Sequence, residues 1–440
     1  MAKRPRRPIA PREADESDYE SQLRAQYERI NPEPSWAQQA RKTYHKEQDI
    51  EAEKGDEGEG KQDKSLSSGT IAIERLRDVN ISTQNDSSVN VVAFHPSPRV
   101  PVLCVGTSDR RVRLYNVDGH TSPLLQTLHT PSLPLTSPTS VLFHPSGSSI
   151  LLSGSRPFFF THDLQTGTTT RHDRGLWGTT FSHSSVESRG LKRSRDSRED
   201  AETIHMTSFN PTGEILGVAG GKGAQVHLVD WKSGAGQVIG SLKCAGGGSV
   251  SGLWWFGGSS SSAQSLGETS SRDHLAILTS DAEVYLWDVA ERRCVKRWKD
   301  EGGYRGAGRT LAGTQSGNGY MAVGSSSGLV NFYNSTSYSL QESTKDPKPI
   351  KSIGNLTTAI STLKFNHDAQ LLAIASQEKK DSMRLIHVPS LTAFANWPTQ
   401  STPLGSVSTV DFSPGSEYVA IGNKRGRVLL YHLREYGVGF

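Results

Sequence analysis

The chain has 440 residues, of which 34% are hydrophobic and 21% charged, with a formal net charge of only +4. That length corresponds to two or three average domains or to one large repeat array. No stretch approaches the roughly 18 apolar residues of a membrane span, and the charged start Met1–Arg12 lacks the apolar centre of a signal peptide, which argues against membrane insertion and secretion. The three cysteines, Cys104, Cys244 and Cys294, are far apart and have no CxxC spacing. This usage fits a reducing compartment and neither a disulfide frame nor a zinc site.

Residues 1–64 hold 13 Lys/Arg and 15 Asp/Glu, and the stretch Glu51–Lys64 is almost wholly Glu, Asp, Lys, Gly and Gln. Such a segment buries too little apolar surface to offset its ordering entropy, so a largely disordered tail is expected. At its start Lys3, Arg4, Arg6 and Arg7 cluster among prolines. Two readings fit them, a nuclear or nucleolar address and a solvated tail. Ser17 and Glu20 have capping-box spacing and open a short helix whose stripe is Tyr19, Leu23, Tyr27 and Ile30, stopped by Asn31-Pro32. Ser35 and Gln38 open a second, bearing Trp36, Ala40 and Tyr44. Helices this short are marginal alone, so their apolar faces need a surface, either a partner subunit or the rest of this chain.

From residue 65 the text repeats. One phrase is an apolar run ending in an aromatic, then a turn, then a second apolar run, and Phe94, Phe143, Phe209, Phe365 and Phe412 mark it. The other is a short alternating strand that begins at Val112, Phe158, Val226, Val284, Val330, Met383 and Val428. Weaker versions of the first phrase, "VSGLWWFGG" and "RTLAGTQSGNGYMAVG", fill the two vacancies. Two of the intervals are long because they contain polar insertions at 183–203 and 257–273; without them the unit is about 48 residues, near the ~40–45 of propeller repeats. The fold expected for 65–440 is therefore all-β, a propeller of seven units, because a small sheet with an unburied apolar face must stack on its neighbours. The last unit ends without room for an outer strand, and "TIAIERLRDV" at Thr70–Val79 is expected to supply it and close the ring.

Within the repeats, Asp109 and Asp281 follow a serine between two strands and read as turn-holding residues. His95 and His144 stand beside strand ends and read as structural. The 183–203 insertion carries Lys192, Arg193, Arg195 and Arg198, diluted by acids; it reads as a flexible loop, and any RNA contact there would be to phosphate. "GGKGAQVHL" at Gly220–Leu228 is no phosphate loop, since GxxxxGK[ST] is absent and a strand follows. No catalytic, metal-ligating or cofactor-binding set emerges, and no small-molecule substrate is indicated.

The repeat pattern resembles the WD-repeat propellers, although the Trp-Asp pair occurs once, as Trp287-Asp288. A closer resemblance runs through most of the chain. "SDYESQLRAQY" and "NPEPSWA" within Ser17–Ala37, "RRVRLYNVDG" at Arg110–Gly119, "DAEVYLWDVAERRCVKRWKDEG" at Asp281–Gly302, "DPKPI" at Asp346–Ile350, "LLAIAS" at Leu371–Ser376 and "VDFSPGSEYVAIGNKRGRVLLYHL" at Val410–Leu433 are similar to the U3 small nucleolar RNA-associated protein 18 family. This resemblance implies a non-catalytic WD-repeat scaffold of the nucleolar small-subunit processome, in its UtpB subcomplex. Such a scaffold acts with the U3 small nucleolar ribonucleoprotein on small-subunit pre-rRNA. Members of the family can carry, in their N-terminal tail, a Leu-Phe-x-Val-Asp-like motif that recruits an exosome-associated helicase; no such pentapeptide lies between Met1 and Arg77, so that role is not assigned. The alternative reading is a substrate receptor of a cullin-type ubiquitin ligase, disfavoured because Ala290 stands where those receptors have the arginine of Trp-Asp-x-Arg.

Overall fold

The computed structural model describes residues 66–436 apart from 84–85, 157, 173–203, 221–222, 233–236, 247, 258–272, 301–306, 315–318, 339–345 and 400. Residues 65–440 form one compact unit. Among the described residues there is no α-helix, only strands and two 3-10 turns, and the strands form seven antiparallel sheets of four. This is a seven-bladed β-propeller.

Six blades are consecutive quartets. Blade one is Val89–Phe94, Val102–Thr107, Arg111–Asn116 and Leu124–His129. Blade two is Val141–Phe143, Ser149–Leu152, Phe159–Asp163 and Thr169–His172, and blade three is Ile204–Phe209, Ile215–Gly220, Gln225–Asp230 and Gln237–Lys243. Blade four is Val250–Gly257, Asp273–Thr279, Glu283–Asp288 and Arg293–Lys299, and blade five is Gly308–Gly313, Met321–Ser325, Val330–Tyr333 and Lys351–Ile353. Blade six is Thr362–Phe365, Leu371–Ala375, Met383–His387 and the two-residue Thr392–Ala393. Blade seven draws its first three strands, Val407–Phe412, Tyr418–Asn423 and Val428–Leu433, from the end of the chain, and its fourth, Ile73–Arg75, from the start of the unit.

Ile73 faces Leu433 and Arg75 faces Tyr431 in that last pairing. Backbone bonds extend it beyond the three strand residues, from Arg434 N to Ala72 O and from Val79 N to Val428 O, each 3.0 Å. The inner strand of blade seven packs on that of blade one, which closes the ring. Between blades one and three the 3-10 turn Pro138–Ser140 takes over this packing, because the inner strand of blade two is only three residues long.

Second strands such as Leu371–Ala375 and Met321–Ser325 are buried throughout, which is why they read as unbroken small and apolar runs. Both of their faces lie against neighbouring blades, and each fully buried Leu, Ile or Val there contributes about 1.5–3 kcal/mol. Outer strands are wet on one side, as the alternating burial of Gln237–Lys243 shows. The short outer strand of blade six leaves a sheet edge that would otherwise be open to other chains. Residues 66–72 shield it. Ala395 N donates to Gly69 O at 3.1 Å, Asn396 exchanges hydrogen bonds with the backbone of Ile71, and Leu66 and Ile71 are buried in one cluster with Phe394 and Trp397.

Candidate functional site

The ring has two faces. Connections from an outer strand to the next inner strand, and turns between second and third strands, lie on one face, here called the channel face; the remaining turns lie on the other. On the turn face, the residue after the marker phenylalanine reaches to the next blade in four units, and in blade seven the residue before the marker does so instead. His95 Nε2 donates to Gly147 O at 2.9 Å and His144 Nε2 donates to Gly213 O at 3.0 Å, while the Nδ1 atoms accept from the amides of Ser97 and Ser146. Asn210 Nδ2 donates to Asp273 Oδ2 at 2.8 Å, and Asn366 Nδ2 donates to Ser416 Oγ at 3.3 Å. Asp411 completes the set from blade seven, its Oδ2 accepting from Phe94 N at 2.7 Å and its Oδ1 lying 2.9 Å from Lys364 Nζ of blade six. These side chains hold blades together. With both imidazole nitrogens engaged, His95 and His144 have no nitrogen free for a metal or a transferable proton.

On the channel face the inner strands of blades one, three, four, five and seven each carry a register shift after their first residue. A bulge re-aims the extra side chain, and the residues so placed are Asn90, His205, Ser251, Arg309 and Ser408. Asn90 and Ser408 are used within the ring, donating to Leu135 O and Val89 O. His205, Ser251 and Arg309 line a cavity of about 440 Å³ with Ser137–Thr139 and Ser361. Its walls mix serine, threonine and the side chains of His205 and Arg309 with the apolar Met206, Val250, Leu253, Leu311 and Leu363.

Among the described residues the shifted titratable groups are held in structural contacts. Burial pushes the Cys244 thiol up to about 12 and also raises Cys104 and Cys294, the opposite of an activated nucleophile. The Tyr285 hydroxyl and the Arg297 guanidinium hold Glu283 below its ordinary range. Asp109 is lowered despite its burial, because Thr107 and Arg113 donate to it; it also accepts from Arg111 N at 3.1 Å and so holds its turn. Among the described residues no three His, Cys, Asp or Glu stand together as metal ligands, and no helix is long and apolar enough to cross a membrane.

The tail residues Tyr19, Leu23, Tyr27, Ile30, Trp36 and Tyr44, the cluster Lys3, Arg4, Arg6 and Arg7, and Lys192, Arg193, Arg195 and Arg198 all lie outside the described residues. The bridging pairs were not foreseen. Their signal is the position after the marker phenylalanine, occupied by His, His, Asn and Asn in four units; in the last unit Ser413 bonds within its own blade, accepting from Tyr418 N at 2.9 Å.

A closed ring of four-stranded blades whose repeats share one hydrogen-bonding position is a propeller of the WD-repeat class. Residues 78–116 match the WD domain, G-beta repeat family. Among curated proteins, the chain is 32% identical to the probable U3 small nucleolar RNA-associated protein 18 of Schizosaccharomyces pombe, over 95% of this chain and 74% of that one. It is 29% identical to the Arabidopsis thaliana homologue of the same name, over 96% and 70%, and 32% identical to that of Mus musculus, over 84% and 59%. The chain belongs to the U3 small nucleolar RNA-associated protein 18 family.

Proposed function

We propose that this chain is a non-catalytic scaffold of the small-subunit processome, working in the nucleolus with the U3 small nucleolar ribonucleoprotein during processing of small-subunit pre-rRNA. The observation that carries this reading is the 32% identity to the Schizosaccharomyces pombe relative, whose name places it with U3 RNA, over 95% of this chain. The architecture supports it, since the bridging side chains of the repeats are engaged between blades and the open surface is left for binding. Membership of the UtpB subcomplex is part of the same proposal, with Ser17–Gln48 as the segment that docks on a neighbouring subunit. The cullin-receptor alternative draws no support, because the amide of Ala290 caps Asp288 at 2.9 Å and no arginine occupies that place.

Depletion of the protein should lower small-subunit ribosomal RNA while leaving large-subunit RNA nearly unchanged; an unaltered ratio would overturn the reading. Affinity purification should recover U3 RNA with UtpB proteins, and deletion of Ser17–Gln48 should release the proteins.

A further inference from the structure

We infer that the channel face of blades six, seven and one is a docking surface for an RNA phosphate backbone. The inference rests on the proposed role with U3 RNA and adds the surface and the kind of contact. Three turns and one connection build it. The turn between the second and third strands of blade six presents Lys379 and Lys380, and the equivalent turn of blade seven presents Lys424, Arg425 and Arg427. Arg77 follows on the closing segment, and Arg110 and Arg111 stand on the matching turn of blade one. All eight are exposed, and none forms a salt bridge among the described residues.

The nearby acids are mostly engaged. Asp381 accepts from Leu404 N and Gly405 N at 2.8 and 2.7 Å, Asp109 pairs with Arg113 at 2.8 Å, and Asp78 pairs with Arg75 at 3.4 Å. Exposed Glu378 and Asp86 are left against eight cations. The matching turns of blades four and five, 280–282 and 326–329, carry one acid and no base, and those of blades two and three carry one base each, Arg156 and Lys222, so the positive charge of these turns is densest on this arc. Such a concentration of like charge is self-repulsive, and a polyanion relieves it.

Hydrogen bonds join these turns to one another. Lys424 Nζ reaches Gln377 O of the blade-six turn at 3.5 Å, and Asn423 Nδ2 donates to Leu404 O beside Asp381. Asn80 of the closing segment donates to Gly426 O at 2.6 Å, and Ser108 N donates to Ser88 O at the start of blade one. The central turn is also fixed from within, as Asn423 Oδ1 accepts from Arg425 N and Arg427 N and Gly426 takes φ +77°. Two arginines thus leave a rigid support, and their forked donors match phosphate oxygens. No exposed aromatic side chain stands on these turns, so bases have no stacking platform and the contact should carry little sequence preference.

The test uses the full chain with two probes, a 30-nucleotide oligouridylate and a hairpin RNA of unrelated sequence, titrated across a salt series. Two variants on separate blades are compared, K424Q/R425Q/R427Q and K379Q/K380Q, with R292Q/R293Q on the opposite face as control. Both surface variants should weaken binding of both probes, the triple variant about tenfold or more, and should flatten the dependence of log affinity on log salt, by about 2 for the triple variant at roughly 0.7 per phosphate contact. Unchanged affinity and slope in both variants would overturn the inference, as would capture of polyglutamate with no RNA binding. In cells, variants that stay with U3 RNA particles but lose direct crosslinks to RNA support it, and variants that keep those crosslinks sink it while leaving the scaffold role intact. Absence of the unaltered chain from U3 particles would instead sink the scaffold role.

Discussion

The Nε2 of His95 in blade one donates to the carbonyl of Gly147 in blade two, and the same glycine has φ +76° and lies so close that a β-carbon on it would come within 2.5 Å of the imidazole. His144 and Gly213 repeat the arrangement one blade further on, with φ +79° and a clearance of 2.5 Å. Gly147→Ala should therefore destabilise the ring through two effects, about 1–2 kcal/mol for the left-handed backbone and about 1–3 kcal/mol for displacing the histidine and its bond. Gly167→Ala isolates the first effect, since Gly167 has φ +68° with nothing near its absent β-carbon. Chemical unfolding of both variants and of Gly147→Ala with His95→Ala should show that removing the imidazole recovers part of the loss. Equal costs for Gly147→Ala and Gly167→Ala would contradict the bridging role.

Closure of the ring depends more on one buried amide than on the visible ion pair beside it. Asn80 is buried, donating to Gly426 O at 2.6 Å and accepting from Val428 N at 3.0 Å, so Asn80→Ala leaves two buried backbone groups without partners. The expected cost is about 2–4 kcal/mol. Glu74 and Arg434 form a 2.9 Å pair on the same seam, but both are largely exposed, and Glu74→Ala should cost less than about 1 kcal/mol. Denaturant titration ranks the two. A larger effect at Glu74 would mean that the seam is held by charge.

Sequence periodicity carries the blades because burial on both sides of the second strands leaves runs such as Leu371–Ala375 without a polar interruption. It carries much less of the surface. Lys379, Arg425 and Arg110 each sit in an unremarkable turn and Arg77 on the closing segment, and more than 300 residues separate the outermost of them. They meet because Ile73–Arg75 pairs with the last strand of the chain, a relation read from the missing outer strand of the last unit and not from any motif beside these cations. The bridging histidines are intermediate. Their position recurs and can be read, but their acceptors lie in the following blade, 52 and 69 residues away. The closing segment Thr70–Val79 reads as one strand, yet Ile73–Arg75 alone has strand geometry; at Leu76 and Val79 the chain keeps isolated hydrogen bonds to Leu430 and Val428.

Acid should loosen the propeller before the carboxylates titrate. Burial lowers the pKa of His162, His227 and His387 from the ordinary imidazole value. In His162 and His387 the Nδ1 atoms meet the hydroxyls of Thr169 and Ser390, whereas the buried Nε2 atoms have no partner to receive an added proton. The unfolded imidazoles take up protons near pH 6.5, and the folded ones resist until lower pH, so below that point the unfolded chain binds more protons. The neutral histidines therefore give their full stability above about pH 6.5, and it is lost as pH falls through their lowered folded values. Unfolding midpoints should drop between pH 7 and pH 5, and His387→Gln should flatten part of that fall by removing one of the titrating groups. Should the curve for His387→Gln run parallel to that of the unaltered chain across this range, the acid sensitivity would have to come from other groups.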